Sequence, residues 1–268
     1  MKRAGTIGVI GGTGFYKFLE IEEELRPKTP YGPPSGRVKI SSVGGRRVAF
    51  LPRHGEHHEF PPHMVPYRAN LHALKQAGAE RVLGPCAVGS LRPEVRPGDF
   101  VVCDQFVNFT NGRKDTFFDG PETTHVSSAD PYCPELRKAI FKAAAEVGIE
   151  VKRSGTVVVI QGPRFSTRSE SKFFRSQGWD IINMTQYPEA ILARELEMCY
   201  ANISLVTDYD VGVEGDPKVK AVSNDEVMRV FDKNLGRLRE LLMKTIELTP
   251  AERSCSCGKA LASARVSA

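Results

Sequence analysis

Residues 6–14 read TIGVIGGTG. Thr6–Ile10 is an apolar run too short for a helix, and the glycines after it are turn residues. The pattern is a buried strand entering a tight turn. The same unit recurs along the chain. Val38–Ser42 and Arg47–Leu51 flank Gly44-Gly45, which predicts a hairpin. Short apolar runs at Arg81–Leu83, Asp99–Cys103, Thr156–Ile160, Asp180–Ile182 and Tyr200–Val206 read as further strands. Between them, Tyr67–Ala77, Pro134–Val147, Ser166–Gln177, Pro188–Glu197 and Asn224–Glu247 carry apolar residues at helical spacing, several ending at a glycine. Strands alternating with helices predict an α/β chain on a mixed β-sheet. No linker or repeat interrupts it, so a single domain over residues 1–250 is expected, followed by a Cys-containing tail, 251–268; the last ~15 residues are expected to be mobile, as untied termini fray.

Bulk properties narrow the function. With 268 residues, 41% hydrophobic and 26% charged, the chain has an ordinary globular composition. The net charge of +5 suits a small anionic ligand. No basic block interleaved with aromatics argues for nucleic acid, and no apolar stretch is long enough to span a membrane. The N-terminal segment lacks a signal-peptide pattern, and a cytoplasmic location is expected.

Candidate chemistry sits at the strand ends. Gly11-Gly12-Thr13-Gly14 is either a plain tight turn or a backbone cradle for an anion, with the Thr13 hydroxyl as an added donor. Lys17 stands where a dinucleotide fingerprint needs its third glycine, and no Walker loop is present. Arg53-His54-Gly55-Glu56-His57-His58 follows a strand. The four-residue spacing of His54 and His58 invites a metal, but the zincin order is missing and Pro61-Pro62 stops a helix. No metal is expected, and phosphate binding by Arg53 and His54 is the more natural use. Ala87-Val88-Gly89-Ser90 is small enough to let a ligand approach the backbone. Phe165, in QGPRFS, either stacks on a flat ligand or fills core. Asn183-Met184-Thr185 follows another strand, and Thr207-Asp208-Tyr209-Asp210 ends the last. Ligands of α/β proteins gather at the carboxyl ends of strands.

Taken together, IGVIGGTGFY, LPRHGEHH, AVGSLRPEVRPGD, QGPRFSTRSE, INMTQYPEA and VTDYD resemble, in order and spacing over residues 5–245, the 5′-methylthioadenosine phosphorylases of the purine nucleoside phosphorylase superfamily. The resemblance implies a partly barrel-like central sheet flanked by helices. It places phosphate at Thr13, Arg53, His54, Ala87 and Thr185, ribose over Met184, and the base against Phe165, Asp208 and Asp210. His58, Val227 and Met228 border the 5′ substituent, with His125 contributed by a neighbouring subunit of a trimer or dimer of trimers. It implies no cofactor beyond inorganic phosphate as co-substrate, and phosphorolysis of 5′-methylthioadenosine, and of adenosine, to adenine and the ribose 1-phosphate. Alternatives are 6-oxopurine nucleosides or methylthioinosine as substrate, hydrolysis by water, or a nucleotide sensor without turnover.

The implied chemistry gives the two aspartates separate roles. Phosphate attack on C1′ passes through an oxocarbenium-like state, and the departing purine needs charge relief at N7. Asp208 either donates a proton to N7 or stabilises an N7–H drawn from water. Alternation along a strand would set Asp208 and Asp210 on one side, and two close carboxylates would raise one pKa. Asp210 accepts from a 6-amino group. Six cysteines stand at 86, 103, 133, 199, 255 and 257. No C-x-x-C pair suggests zinc. The CSC tail is either two exposed thiols or, as in the heat-stable archaeal branch it resembles, part of a disulfide set. Cys133–Cys199 and a bridge involving Cys255 or Cys257 are the expected pairings.

Overall fold

The computed structural model describes residues 5–12, 20–213 and 216–265. It is an α/β fold with mixed sheets flanked by helices. Strands β1 (Thr6–Gly11), β2 (Glu23–Leu25), β3 (Val38–Val43), β4 (Arg46–Pro52), β5 (Ala79–Leu83) and β12 (Cys199–Ala201) form one six-stranded sheet, in the order β12-β5-β1-β4-β3-β2. A seven-stranded sheet contains β6 (Cys86–Ser90), β7 (Phe100–Val101), β8 (Gln105–Phe109), β9 (Val151–Lys152), β10 (Thr156–Ile160), β11 (Ile181–Asn183) and β13 (Ser204–Asp208). Its order is β8-β10-β11-β6-β13-β7-β9. The hairpin expected around Gly44-Gly45 is β3–β4, antiparallel, with both glycines at positive φ.

Strand alternation explains the layering. Ile7, Val9, Val48 and Phe50 pack into one apolar cluster, while Ile10, Ala49 and Leu51 pack into another. Both faces of the six-stranded sheet are therefore buried, as the uninterrupted apolar run in β1 requires. Helices α1 (Tyr67–Gln76) and α4 (Gln186–Glu195) cover one face through Leu71, Leu74, Ala190 and Leu192. Helices α2 (Pro134–Glu146) and α5 (Asn224–Leu248) cover the other through Leu136, Ile140, Leu238 and Leu241. Helix α3 (Arg168–Ser176) starts at a reciprocal cap between Thr167 and Glu170 and packs Phe174 against Val158 and Ile182.

Three expectations need correction. The run Tyr200–Val206 is not one strand but two, β12 and β13, in different sheets. Asn202, wholly buried between them, donates to the Gly84 carbonyl and accepts from the Ser204 hydroxyl, which pins the crossing. The tail is seated, not loose: Arg81 donates to the Glu252 carbonyl, Arg253 to the Glu197 carbonyl, and Cys257 and Ala264 are buried. The expected disulfides are absent. All six thiols are free, and Cys199 Sγ lies 3.4 Å from Cys255 Sγ, well beyond the ~2.05 Å of an S–S bond. Four of the thiols share one site instead of pairing off.

Replacing Asn202 tests how far the crossing depends on it. Asn202→Ala leaves the Gly84 carbonyl and Ser204 hydroxyl without this partner and should cost about 1–3 kcal/mol. Urea unfolding should show a lower midpoint with an unchanged m-value.

Candidate active site

A cavity of about 600 Å³ lies where the two sheets meet. Its floor comes from both. β1 and β4 run parallel, so Gly12 and Arg53-His54 emerge side by side, and the Arg53 N–H continues the ladder onto the Gly11 carbonyl at 2.9 Å. From the other sheet come Ala87, Val88 and Gly89 of β6, Ile182 and Asn183 of β11, and Asp208 of β13. β11 runs antiparallel to β6. The rule of carboxyl ends therefore holds for β1, β4, β11 and β13, while β6 contributes its middle.

Arg53 is the most constrained residue of the site. Its Nε donates to Glu189 Oε1 at 2.5 Å, Nη2 to Glu189 Oε2 at 3.0 Å and to the Ile10 carbonyl at 2.8 Å, and Nη1 to the Pro85 carbonyl at 3.1 Å. These bonds use four of the five guanidinium N–H groups, leaving one on Nη1. Burial opposes the charge, but Glu189 outweighs it and holds the guanidinium firmly protonated. Glu189 also accepts from the Tyr200 hydroxyl at 2.8 Å. Neither Glu189 nor Tyr200 was singled out in the sequence, although Glu189 sits inside the INMTQYPEA segment; a buried arginine needs such a partner, which is the signal that could have found it.

His54 Nδ1 lies 2.8 Å from the Phe60 carbonyl oxygen, which can only accept, so Nδ1 carries the hydrogen. Burial first, and the Arg53 charge second, push its pKa down to about 4. The ring is neutral at pH 7 and Nε2 offers a lone pair. It stacks on His58 at 5.4 Å between ring centroids. Beside them, Asn183 Oδ1 accepts from the backbone N–H groups of Thr185 at 2.6 Å and Gln186 at 2.8 Å, which folds Thr185 into the cavity wall at the start of α4.

The aspartates occupy the far end. β13 stops at Asp208, and Asp210 has φ +54, so a turn rather than strand alternation brings the two together. Asp208 Oδ1 accepts from the Asp210 N–H at 2.8 Å and Oδ2 from the Thr207 hydroxyl at 2.8 Å. Burial is the main cause raising the Asp208 pKa from 3.8 to about 6; the charge of Asp210 is a minor one. Asp210 is likewise raised, mainly by burial, with the Ser171 and Ser166 hydroxyls easing its charge. Yet neither hydroxyl reaches hydrogen-bonding geometry, and Asp210 Oδ2 is buried without a hydrogen-bond partner among the described residues. Gly89 permits this packing: a Cβ there would sit 2.9 Å from Asp208 Oδ1.

Of the residues expected at the site, the cavity gathers Arg53, His54, His58, Ala87, Phe165, Met184, Thr185, Asp208, Asp210, Val227 and Met228. Thr13 lies outside the described residues. His125 is exposed and does not line the cavity; its N–H donates to the Ala264 carbonyl at 2.7 Å. Phe231, Asp232 and Leu235 also line it and were missed. They continue the stripe of Asn224, Val227 and Met228 along α5, so extending the helical spacing would have found them.

An α/β fold whose cavity is lined by a buried cation and two buried carboxylates has the chemistry to take up an anion and a group with hydrogen-bond donors. The profile of the phosphorylase superfamily matches residues 6–247, and the chain belongs to that family. It is 54% identical to a purine nucleoside phosphorylase of Streptomyces coelicolor over 95% of this chain and 94% of that protein. It is also 54% identical to an S-methyl-5′-thioadenosine phosphorylase of Thermococcus kodakarensis, over 95% and 97%. A solved methylthioadenosine phosphorylase from Schistosoma mansoni in complex with adenine superposes with a TM-score of 0.91 at 35% identity, covering 97% of this chain and 99% of that one.

Two tests follow. Glu189→Gln leaves the buried Arg53 charge uncompensated and should cost about 3–5 kcal/mol of unfolding free energy. For Asp208, the folded state binds more protons than the unfolded between pH 3.8 and about 6. Its contribution to stability therefore falls as pH rises through that window. Asp208→Asn should flatten the wild-type stability profile there, measured by chemical unfolding at stepped pH.

Proposed function

We infer that the chain catalyses phosphorolysis of 5′-methylthioadenosine to adenine and 5-methylthioribose 1-phosphate, a salvage reaction. The observation that carries the preference for adenine is the Asp210 carboxylate, a buried acceptor that lines the cavity beside Asp208. A 6-amino group supplies the donor it needs, whereas a 6-oxo group would set acceptor against acceptor. The names of relatives such as the Thermococcus protein support the same substrate.

The chemistry follows from the ends of the cavity. Phosphate binds at Arg53, His54, Thr185 and the backbone of Ala87, with Thr13 as a further donor. The free Nη1 hydrogen of Arg53 faces the anion, and neutral His54 Nε2 accepts from a P–OH. A phosphate oxygen then forms its bond to C1′ as the bond from C1′ to N9 breaks and its electron pair passes into the purine. Met184 supports the ribose and Phe165 the base. Asp208, with its pKa raised to about 6, is well matched to deliver a proton to N7. No cofactor is needed, because phosphate is both nucleophile and product component. His58, Val227 and Met228 border the 5′ group. Phe165 and Met228 are large apolar residues left 41% and 45% exposed, which suits cover by ligand and by His125 of a neighbouring subunit in a trimer or dimer of trimers. Residues 1–250 carry the chemistry, and 251–268 form an appended tail. The second reading is a 6-oxopurine nucleoside phosphorylase, favoured by the name of the Streptomyces relative.

A parallel assay of methylthioadenosine, adenosine, inosine and guanosine, with and without phosphate, separates the readings. Strict phosphate dependence with methylthioadenosine turned over fastest is expected; inosine fastest would establish the second. Asp208→Asn should lower kcat by ~100-fold or more and remove a kcat/KM limb near pH 6, above which wild-type activity declines. Asp210→Asn should raise activity on inosine relative to adenosine.

A further inference from the structure

We propose that Cys133, Cys199, Cys255 and Cys257 form a tetrathiolate site for a zinc ion. Their sulfur atoms all lie within 4.8 Å of one another, and three of the four residues are buried. Among the described residues this is the one such gathering of ligand side chains. Four ligands at Zn–S distances of about 2.3 Å in a tetrahedron stand about 3.8 Å apart, so the cluster needs only small adjustment. Sequence spacing hid it, because the ligands come from three separate stretches: the residue before α2, the start of β12, and the tail.

The surroundings ask for negative charge. Four thiolates around a dication carry two net negative charges. Arg81 is the Cα partner of Cys199 across β5 and β12, so both side chains leave the same face. It is fully buried, and its Nη2 reaches the Glu252 carbonyl at 2.8 Å and Glu135 Oε1 only at 3.4 Å. Arg81 Nε and Nη1 have no hydrogen-bond partner among the described residues. Glu135 is the carboxylate paired with that cation, and a zinc tetrathiolate built on the neighbouring strand would add to its counter-charge. Cys133 precedes the first turn of α2, where the positive end of the helix favours a thiolate. Glu135 Oε2 holds the tail ligands in place by accepting from the N–H groups of Ser254 at 3.0 Å and Cys255 at 3.2 Å. As the Zn–S bonds form, the four thiol protons pass to solvent. The ion would fasten the tail, and through the Thr124–Arg265 bridge and the Ala264 carbonyl it would steady the segment bearing His125.

The full chain, reduced, loaded with Zn²⁺ and desalted, is expected to retain one zinc per chain by elemental mass spectrometry. Loaded with Co²⁺ instead, it should show the strong visible absorption of a tetrahedral tetrathiolate. Cys257→Ser, in the tail, should lose the retained metal, and Cys103→Ala, outside the cluster, should keep it. Failure of the reduced wild-type chain to hold either metal overturns the proposal without reliance on a variant. So does equal retention by Cys257→Ser, or fewer than six reactive thiols in the isolated chain after denaturation with a chelator.

Discussion

The buried pair of Arg53 and Glu189 is the constraint around which the site is built. The two side chains are 3% and 0% exposed, so their desolvation cost is close to maximal. Glu189 belongs to α4, and the guanidinium reaches carbonyls at the end of β1 and in the turn between β5 and β6. Tyr200, in β12, closes the set. Parts of both sheets and a helix thus meet at one cation. Such a pair is poor evidence for stability, since apolar replacements can do as well. Its physical effect is different: it fixes a permanently charged donor at a cavity wall of low dielectric, with one guanidinium N–H left over for a ligand.

What the sequence revealed depended on the range of the interactions involved. Helices α1, α2, α3 and α5 were readable because capping and apolar spacing are local. Ile7, Val9 and Ile10 were readable as a buried strand for the same reason. The strand Gln105–Phe109 was not, because it lies half exposed and has no clean alternation. The pairing of Arg53 with Glu189 spans 136 residues, and nothing local announces it. Membership of the cavity was legible for most candidates only because their motifs were taken together. The thiol cluster was illegible for the opposite reason: its ligands are scattered, and the pattern familiar for zinc is contiguous.

The division into two sheets shows how one buried side chain can override a propensity. Tyr200–Val206 is apolar enough to run as a single strand, and nothing in its periodicity marks a break. Asn202 supplies the break by bonding sideways to Gly84 and Ser204. Ser204 then accepts from Gln186, whose side chain accepts in turn from the Tyr132 hydroxyl. This polar chain runs beneath the cavity. Because each member is satisfied, it orients the wall without leaving an unpaired group in the core.

A local departure from strand geometry also sets the behaviour of the carboxylates. Had β13 continued to residue 210, both side chains would have left the sheet in parallel, two residues apart, and repulsion would have dominated their titration. The turn instead lets Asp208 accept the backbone N–H of Asp210, which stabilises one anion with a dipole belonging to the other residue. Burial, not mutual repulsion, then sets the raised pKa of Asp208. That difference has a chemical consequence. A carboxyl raised by a neighbouring charge falls back when the neighbour binds a cation or a donor, whereas one raised by burial becomes still more protonated when a ligand excludes water. An amine donated to Asp210 therefore need not remove the proton from Asp208, and recognition of the base remains compatible with acid catalysis at N7.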